Sequence, residues 1–182
     1  MNTIKPVIFL VPVIALILTG ILYFSLLKKT TGKKFFNRFI LTITVLAFSL
    51  NFAWELMQLP LYKNSSYSIY HIAFCALASL ADAIMVLLLY FGFAFVFRNP
   101  FWTQHLKWQR SVIVILTGGA GAALSEIRHL SLGSWAYSDL MPVIPIVHVG
   151  ISPVSQFMIL PLLIYFSSFT INISFLTGDH KI

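Results

Sequence analysis

Cysteine occurs once in this chain, at Cys75, and carboxylate side chains only five times, at Glu55, Asp82, Glu126, Asp139 and Asp179. A single cysteine excludes an intramolecular disulfide and any cysteine-rich metal site. Cys75 lies in an apolar run and reads as a small packing residue. Charge of either sign is scarce: 9% of the residues are charged, where a soluble domain carries about 25%. Also missing are GxSxG, a Walker loop, GxGxxG, CxxC and any HxxxH or HExxH spacing. No cofactor is therefore expected, and neither a metal nor a serine nucleophile can be assigned. Internal repeats and low-complexity tracts are absent too.

Long apolar runs take their place. With 59% hydrophobic residues over 182 positions, the composition is that of an all-α integral membrane protein forming a single polytopic domain over 1–182. Five spans fit, at 6–27, 39–60, 69–97, 111–130 and 152–175. Each is long enough for a hydrocarbon core of about 30 Å at roughly 1.5 Å per residue. The first run is longer than a signal-peptide core, and Lys28, Lys29, Lys33 and Lys34 follow it, so it reads as a retained helix.

The net charge of +7 is a topology signal rather than a nucleic-acid footprint. Lys28, Lys29, Lys33, Lys34, Arg38, Arg98, Lys107, Arg110 and Lys181 fall on one side of the bundle. Lys5, Lys63 and Arg128 fall on the other. The crowded side is the cytoplasmic one, which puts the N-terminus outside and the C-terminus inside (the inner membrane, in a bacterium). Trp102 and Trp108, in the third loop, are expected as interfacial anchors. The segment 131–153 holds Gly133, Pro142, Pro145, Gly150 and Pro153 and is too broken for a regular helix. It is expected as an irregular outer cap or re-entrant loop, which lipid tolerates only where protein or a cavity surrounds it.

Three acids, Glu55, Asp82 and Glu126, sit inside these spans. An ionisable group there costs about 2.5 to 3.5 kcal/mol on insertion scales, and it should face the bundle interior or an aqueous cavity. Helical spacing groups them on polar stripes: Asn51, Glu55, Gln58 and Tyr62; His71, Cys75, Ser79 and Asp82; Gly118, Ala122, Glu126 and His129. With this topology Glu55 and Glu126 lie near the outer ends of their helices. Asp82 lies about 18 Å down its helix from Tyr70. The site predicted is one outward-facing cavity, with Glu55 and Glu126 at its mouth and Asp82 at its floor. Glu55, Asp82, Glu126 and His129 are its candidate catalytic residues. Asn51, Gln58, His71, Trp135, Tyr137, His148 and Gln156 are candidates for holding a substrate.

Plainer readings stand beside each. Glu126 with Arg128 and His129, or Glu55 near its helix end, could be interfacial charges. Asp82 could be a protonated acid bonded to Asn51 or Ser79. Trp135 and Tyr137 could belong to an aromatic belt, and His148 could be a contact of the cap. The run Thr117 to Ala123 is rich in Gly and Ala, which let helices approach closely, although it could also leave room for a flat ligand.

Two functions from different classes follow. In the first, carboxyls beside an apolar cavity donate and accept protons on a lipid-soluble substrate, lipid or isoprenoid-like, as a lyase, isomerase or hydratase would. His129 and Tyr137 then orient the substrate or share protons. Acids in apolar helices, with Glu126, Gly133 and Tyr137 in that order, resemble small membrane carotenoid cyclases and hydratases, which act on apolar polyenes. In the second, the acids hold a proton, cation or small solute in transport. Five helices without a repeat would then require a homo-oligomer. An accessory subunit pairing its acids with a partner's basic residues is a third reading. The partners expected are bilayer lipid and a hydrophobic small molecule, not nucleic acid.

Overall fold

The computed structural model of the protein describes residues 10–178, without the side chains of His105 and of 174–178. Lys5, Asp179 and Lys181, named above, lie outside the described residues. Five helices carry the fold: α1 (Leu10–Lys29), α2 (Lys33–Gln58), α3 (Ile69–Val96), α4 (Trp108–Ser131) and α5 (Ile151–Gly178). All five are long and apolar enough to cross a membrane. A two-residue antiparallel ladder, β1 (Val143–Ile144) with β2 (Val149–Gly150), lies between α4 and α5.

The elements follow from local chemistry. Thr30 Oγ1 donates to the Leu26 carbonyl at 2.8 Å and closes α1. Two residues then suffice to reach Gly32, the N-cap of α2. This helix begins six residues before the expected position 39, because Phe36 and Phe39 turn inward at helical spacing while Lys33, Lys34 and Arg38 stay outside. Ser68 caps α3 by accepting from the His71 N–H at 3.4 Å. At the end of α4, Gly133 takes φ +65, a backbone conformation that favours glycine. Pro153 occupies the first turn of α5, where a missing N–H costs nothing. Pro161 lies in its interior, as membrane helices tolerate.

Spatial order differs from chain order. α1 packs on α3, α3 on α2, α2 on α5 and α5 on α4. Gly118 and Gly119 make the last contact. A Cβ at Gly118 would meet the Phe157 carbonyl oxygen at 2.1 Å, and one at Gly119 the Met158 side chain at 2.8 Å. The glycine-rich run is thus a packing surface rather than space for a flat ligand.

Away from the Gln58 end of the bundle, the core is aromatic. Phe36, Phe39, Tyr90, Phe91, Trp102 and Tyr165 are buried together. Trp102 is not an interfacial anchor: it is fully buried, with its indole N–H on the Tyr90 carbonyl at 3.2 Å and Phe93, Phe97 and Tyr165 around its ring. A 3₁₀ turn at Trp102–His105 folds the chain back under α3 and α5. Trp108 is exposed.

Candidate functional site

At the Gln58 end, the polar groups of α2, α3 and α5 form one hydrogen-bonded network. Gln156 of α5 is its hub and is almost fully buried. Its amide nitrogen donates to Asn51 Oδ1 at 2.8 Å and to Asp82 Oδ2 at 3.1 Å. Its carbonyl oxygen accepts from Gln58 Nε2 at 3.3 Å, and the same nitrogen donates to Glu55 Oε1 at 2.8 Å. Ser152, one helical turn before Gln156, donates to Gln58 Oε1 at 2.8 Å and accepts from Trp54 Nε1 at 3.3 Å. Asn51 is anchored in turn by its own bond to the Ala47 carbonyl at 2.7 Å. Two carboxyls on two helices are thereby joined through side-chain amides.

The partner expected for Asp82 is corrected. Ser79 donates to the Cys75 carbonyl instead, and Asn51 reaches Asp82 only through Gln156. Cys75 is buried, as a packing residue should be, with Sγ 3.9 Å from the Glu55 carbonyl.

Glu126 occupies a second locus beside this one. Its Oε2 accepts from the indole of Trp135 at 3.2 Å and from the hydroxyl of Tyr137. That hydroxyl also accepts the Gly150 N–H at 2.9 Å. One phenol therefore ties α4 to the start of α5, and Tyr62 bridges to Tyr137 across the loop. Backbone bonds from Lys63 N to Ala136 O and from Ser138 N to Leu61 O lace 136–138 along the end of α2. Glu55 interacts electrostatically with both Glu126 and Asp82. The bonding partners of the three carboxyls are amides, an indole and a phenol. Among the described residues, neither lysine nor arginine is one of them.

Tyr62 sits at the junction of the two loci. Burial pushes its phenol well above the ordinary range, and Glu126, Glu55, Tyr137 and Asp82 push it in the same direction. Tyr137 is raised by burial and by its bond to Glu126, with the Gly150 N–H acting the other way.

Asn51, Glu55, Gln58, Asp82 and Gln156 thus meet in one network, and Glu126, Trp135 and Tyr137 in its neighbour. His129 stacks on Trp135, with ring centroids 4.3 Å apart, and its Nδ1 lies 3.3 Å from Ser134 Oγ. It supports the second locus from outside. His71 and His148 join neither. The His71 Nδ1 is 3.0 Å from Ser68 Oγ and 3.1 Å from Ser66 Oγ, at the cap of α3. His148 is exposed in the β1–β2 turn, at φ 54.

Three contributors lie outside the predicted set: Ser152, Trp54 and Tyr62. Tyr62 stands on the stripe of α2 already read from the sequence, though not among the candidates, and Ser152 precedes Gln156 by four residues, so helical spacing could have found it as well. Among the described residues, no three of His, Cys, Asp and Glu are grouped so as to hold a metal ion.

Beside Gln58 an open groove of about 160 Å³ runs between α2 and α5, lined by Trp54, Met57, Gln58, Leu61 and Ser152. Taken together, these features gather three carboxyls within two adjoining hydrogen-bonded loci, one of them beside a surface cleft. Compared with known proteins, the chain matches no family model, no curated protein and no solved structure.

Proposed function

We propose that the protein is a multi-pass membrane enzyme whose carboxyl site performs acid/base chemistry on a lipid-soluble molecule of the lipid or isoprenoid kind. One observation carries this reading: Glu55 and Asp82 are bridged by Gln156 and Gln58, with no cation bonded to either among the described residues. Carboxylates away from water are costly unless paired. Two carboxyls held in different surroundings can serve as an acid and a base in one site. Glu55 and Asp82 are the acid/base pair. Glu126, held by Trp135 and Tyr137, orients the covering segment and tunes the pair electrostatically. The distribution of Lys and Arg favours an extracytoplasmic position for this site.

Conduction fits less well. Below Asn51 and Gln156, the seam between α2 and α5 is closed by Ile43, Ala47, Leu160 and Ile164, all buried. Among the described residues, the next side-chain hydrogen bond between α2 and α5 joins Asn172 Nδ2 to Thr42 Oγ1 at 3.1 Å, and the polar bond between them, from the Tyr165 hydroxyl to the Val86 carbonyl, goes to α3. From Gln156 to Asn172 is about 24 Å of helix.

The test compares organic extracts of cells expressing wild type, Glu55→Gln or Asp82→Asn by mass spectrometry. One lipid class should change with wild type and stay at the empty-vector level with either variant, given equal membrane insertion. Extracts unaltered by the wild-type protein, or altered equally by all three, overturn the reading.

A further inference from the structure

We infer that the groove between α2 and α5 admits one end of an uncharged, hydroxyl- or carbonyl-bearing apolar molecule, sideways from the bilayer, into reach of Glu55. This rests on the acid/base reading and names the class of molecule that the site takes.

The groove has two kinds of lining. Trp54, Met57 and Leu61 are apolar, while Gln58 and Ser152 carry the polar atoms. Met57 is 69% exposed at the rim of the groove, while Leu41 at 63% and Val45 at 55% are exposed on another face of the same helix. In a bilayer the flank that carries Met57 meets lipid. Polar side chains bordering such a flank are expensive there without a purpose. Gln58 Oε1 takes a bond from Ser152, and Ser152 Oγ takes one from Trp54. Each oxygen keeps a further lone pair with which to accept from a hydroxyl. Gln58 then connects the groove directly to Glu55 at 2.8 Å.

Entry from the other direction is obstructed. Residues 136–138 are laced to the end of α2 by Lys63 N to Ala136 O at 2.8 Å, Ser138 N to Leu61 O at 2.9 Å and Ser138 Oγ to Pro60 O at 3.1 Å. The open side is the flank of the bundle.

Charge and size define the molecule. The lining of the groove holds neither a basic side chain to pair an anionic headgroup nor a carboxylate to pair a cationic one. A hydroxyl or carbonyl matches the amide and hydroxyl already there. At about 160 Å³, the groove is smaller than the roughly 300–1,000 Å³ of sites that engulf a ligand. It holds one end of a longer molecule, and the remainder stays in lipid.

Photolabelling of the full chain in lipid nanodiscs tests this, with a diazirine-bearing long-chain alcohol and the matching phosphate monoester and primary amine. The alcohol should label Trp54, Met57 and Leu61 in preference to Leu41 and Val45. Ser152→Phe, which fills the groove, should cut that labelling about tenfold, as a loss of ~1.4 kcal/mol in affinity would, and leave Leu41 and Val45 unchanged. Leu61→Trp makes the same test if Ser152→Phe does not fold. Labelling spread evenly over Trp54, Met57, Leu61, Leu41 and Val45, or labelling of the groove by phosphate or amine as strong as by alcohol, overturns the inference. Focused labelling retained in Asp82→Asn, with wild-type extracts no different from empty vector, sustains the groove and sinks the acid/base reading. An Asp82-dependent lipid change with unfocused labelling does the reverse.

Discussion

The two ends of the α2–α3–α5 seam are built from the same three helices by opposite means. Around Tyr90 and Trp102, aromatic rings fill space, and their polar atoms are bonded to backbone carbonyls. Around Gln156, amides and carboxyls bond to one another across helices, and the nearby surface is grooved. Rings that pack tightly give rigidity. A network of amides around acids keeps carboxyls beside the groove instead. On the proposed reading, stability belongs to the first end and chemistry to the second.

The largest effect should come from breaking the aromatic end. Trp102→Ala removes the centre of that cluster and should cost about 3–5 kcal/mol, read as a loss of unfolding free energy in detergent micelles. If the cost is near zero, the aromatic end is not the stabilising one. Next is Gln156→Leu, which leaves Asn51 Oδ1, Asp82 Oδ2 and a Gln58 donor unpaired. A cost of about 2–3 kcal/mol is expected, together with loss of lipid turnover. Trp102→Ala protein that still folds should keep some turnover, so the two readouts separate the two ends.

A smaller effect probes the seam that carries Glu126. Gly118→Ala drives a methyl into the Phe157 backbone, which cannot step aside, and should cost about 1–3 kcal/mol. Gly121→Ala meets nothing within 4 Å and should be neutral or stabilising by up to ~1 kcal/mol. Equal effects at the two positions would contradict the packing described here.

The smallest effect is one of pH. The folded state holds the Tyr62 and Tyr137 phenols protonated beyond their ordinary range. Below about pH 10 they leave stability level. As the pH climbs past that value, the unfolded chain loses these protons first and stability falls. Tyr62→Phe should make that fall shallower in alkaline unfolding curves, and an unchanged slope would remove Tyr62 from the junction.

Much of this was legible in the residues. Apolar runs locate all five helices, and the spacing of Asn51, Glu55 and Gln58 puts them on the face where they meet Gln156. Helix ends were harder. Lys33 and Lys34 read as loop because charge outweighed the Phe36 and Phe39 periodicity, and a basic first turn is still a helix when its aromatics are buried. Trp102 was misread because an aromatic residue in a loop suggests an interface, and only the fold-back of 102–105 buries it. His71 shares a stripe with Asp82, but local serines capture its ring. The bridge from Gln156 to Asn51 and Asp82 spans 105 and 74 residues of chain, a distance over which helical spacing carries no information.

The central claim is that Glu55 and Asp82 move protons on an apolar molecule from the bilayer. Its most direct measurement is deuterium incorporation: protein reconstituted with total membrane lipid in D₂O, with the lipids analysed by mass spectrometry. Wild type should place carbon-bound deuterium in one uncharged lipid class, and Asp82→Asn and Glu55→Gln should not. Incorporation by neither wild type nor variants, or by all of them alike, would contradict the account.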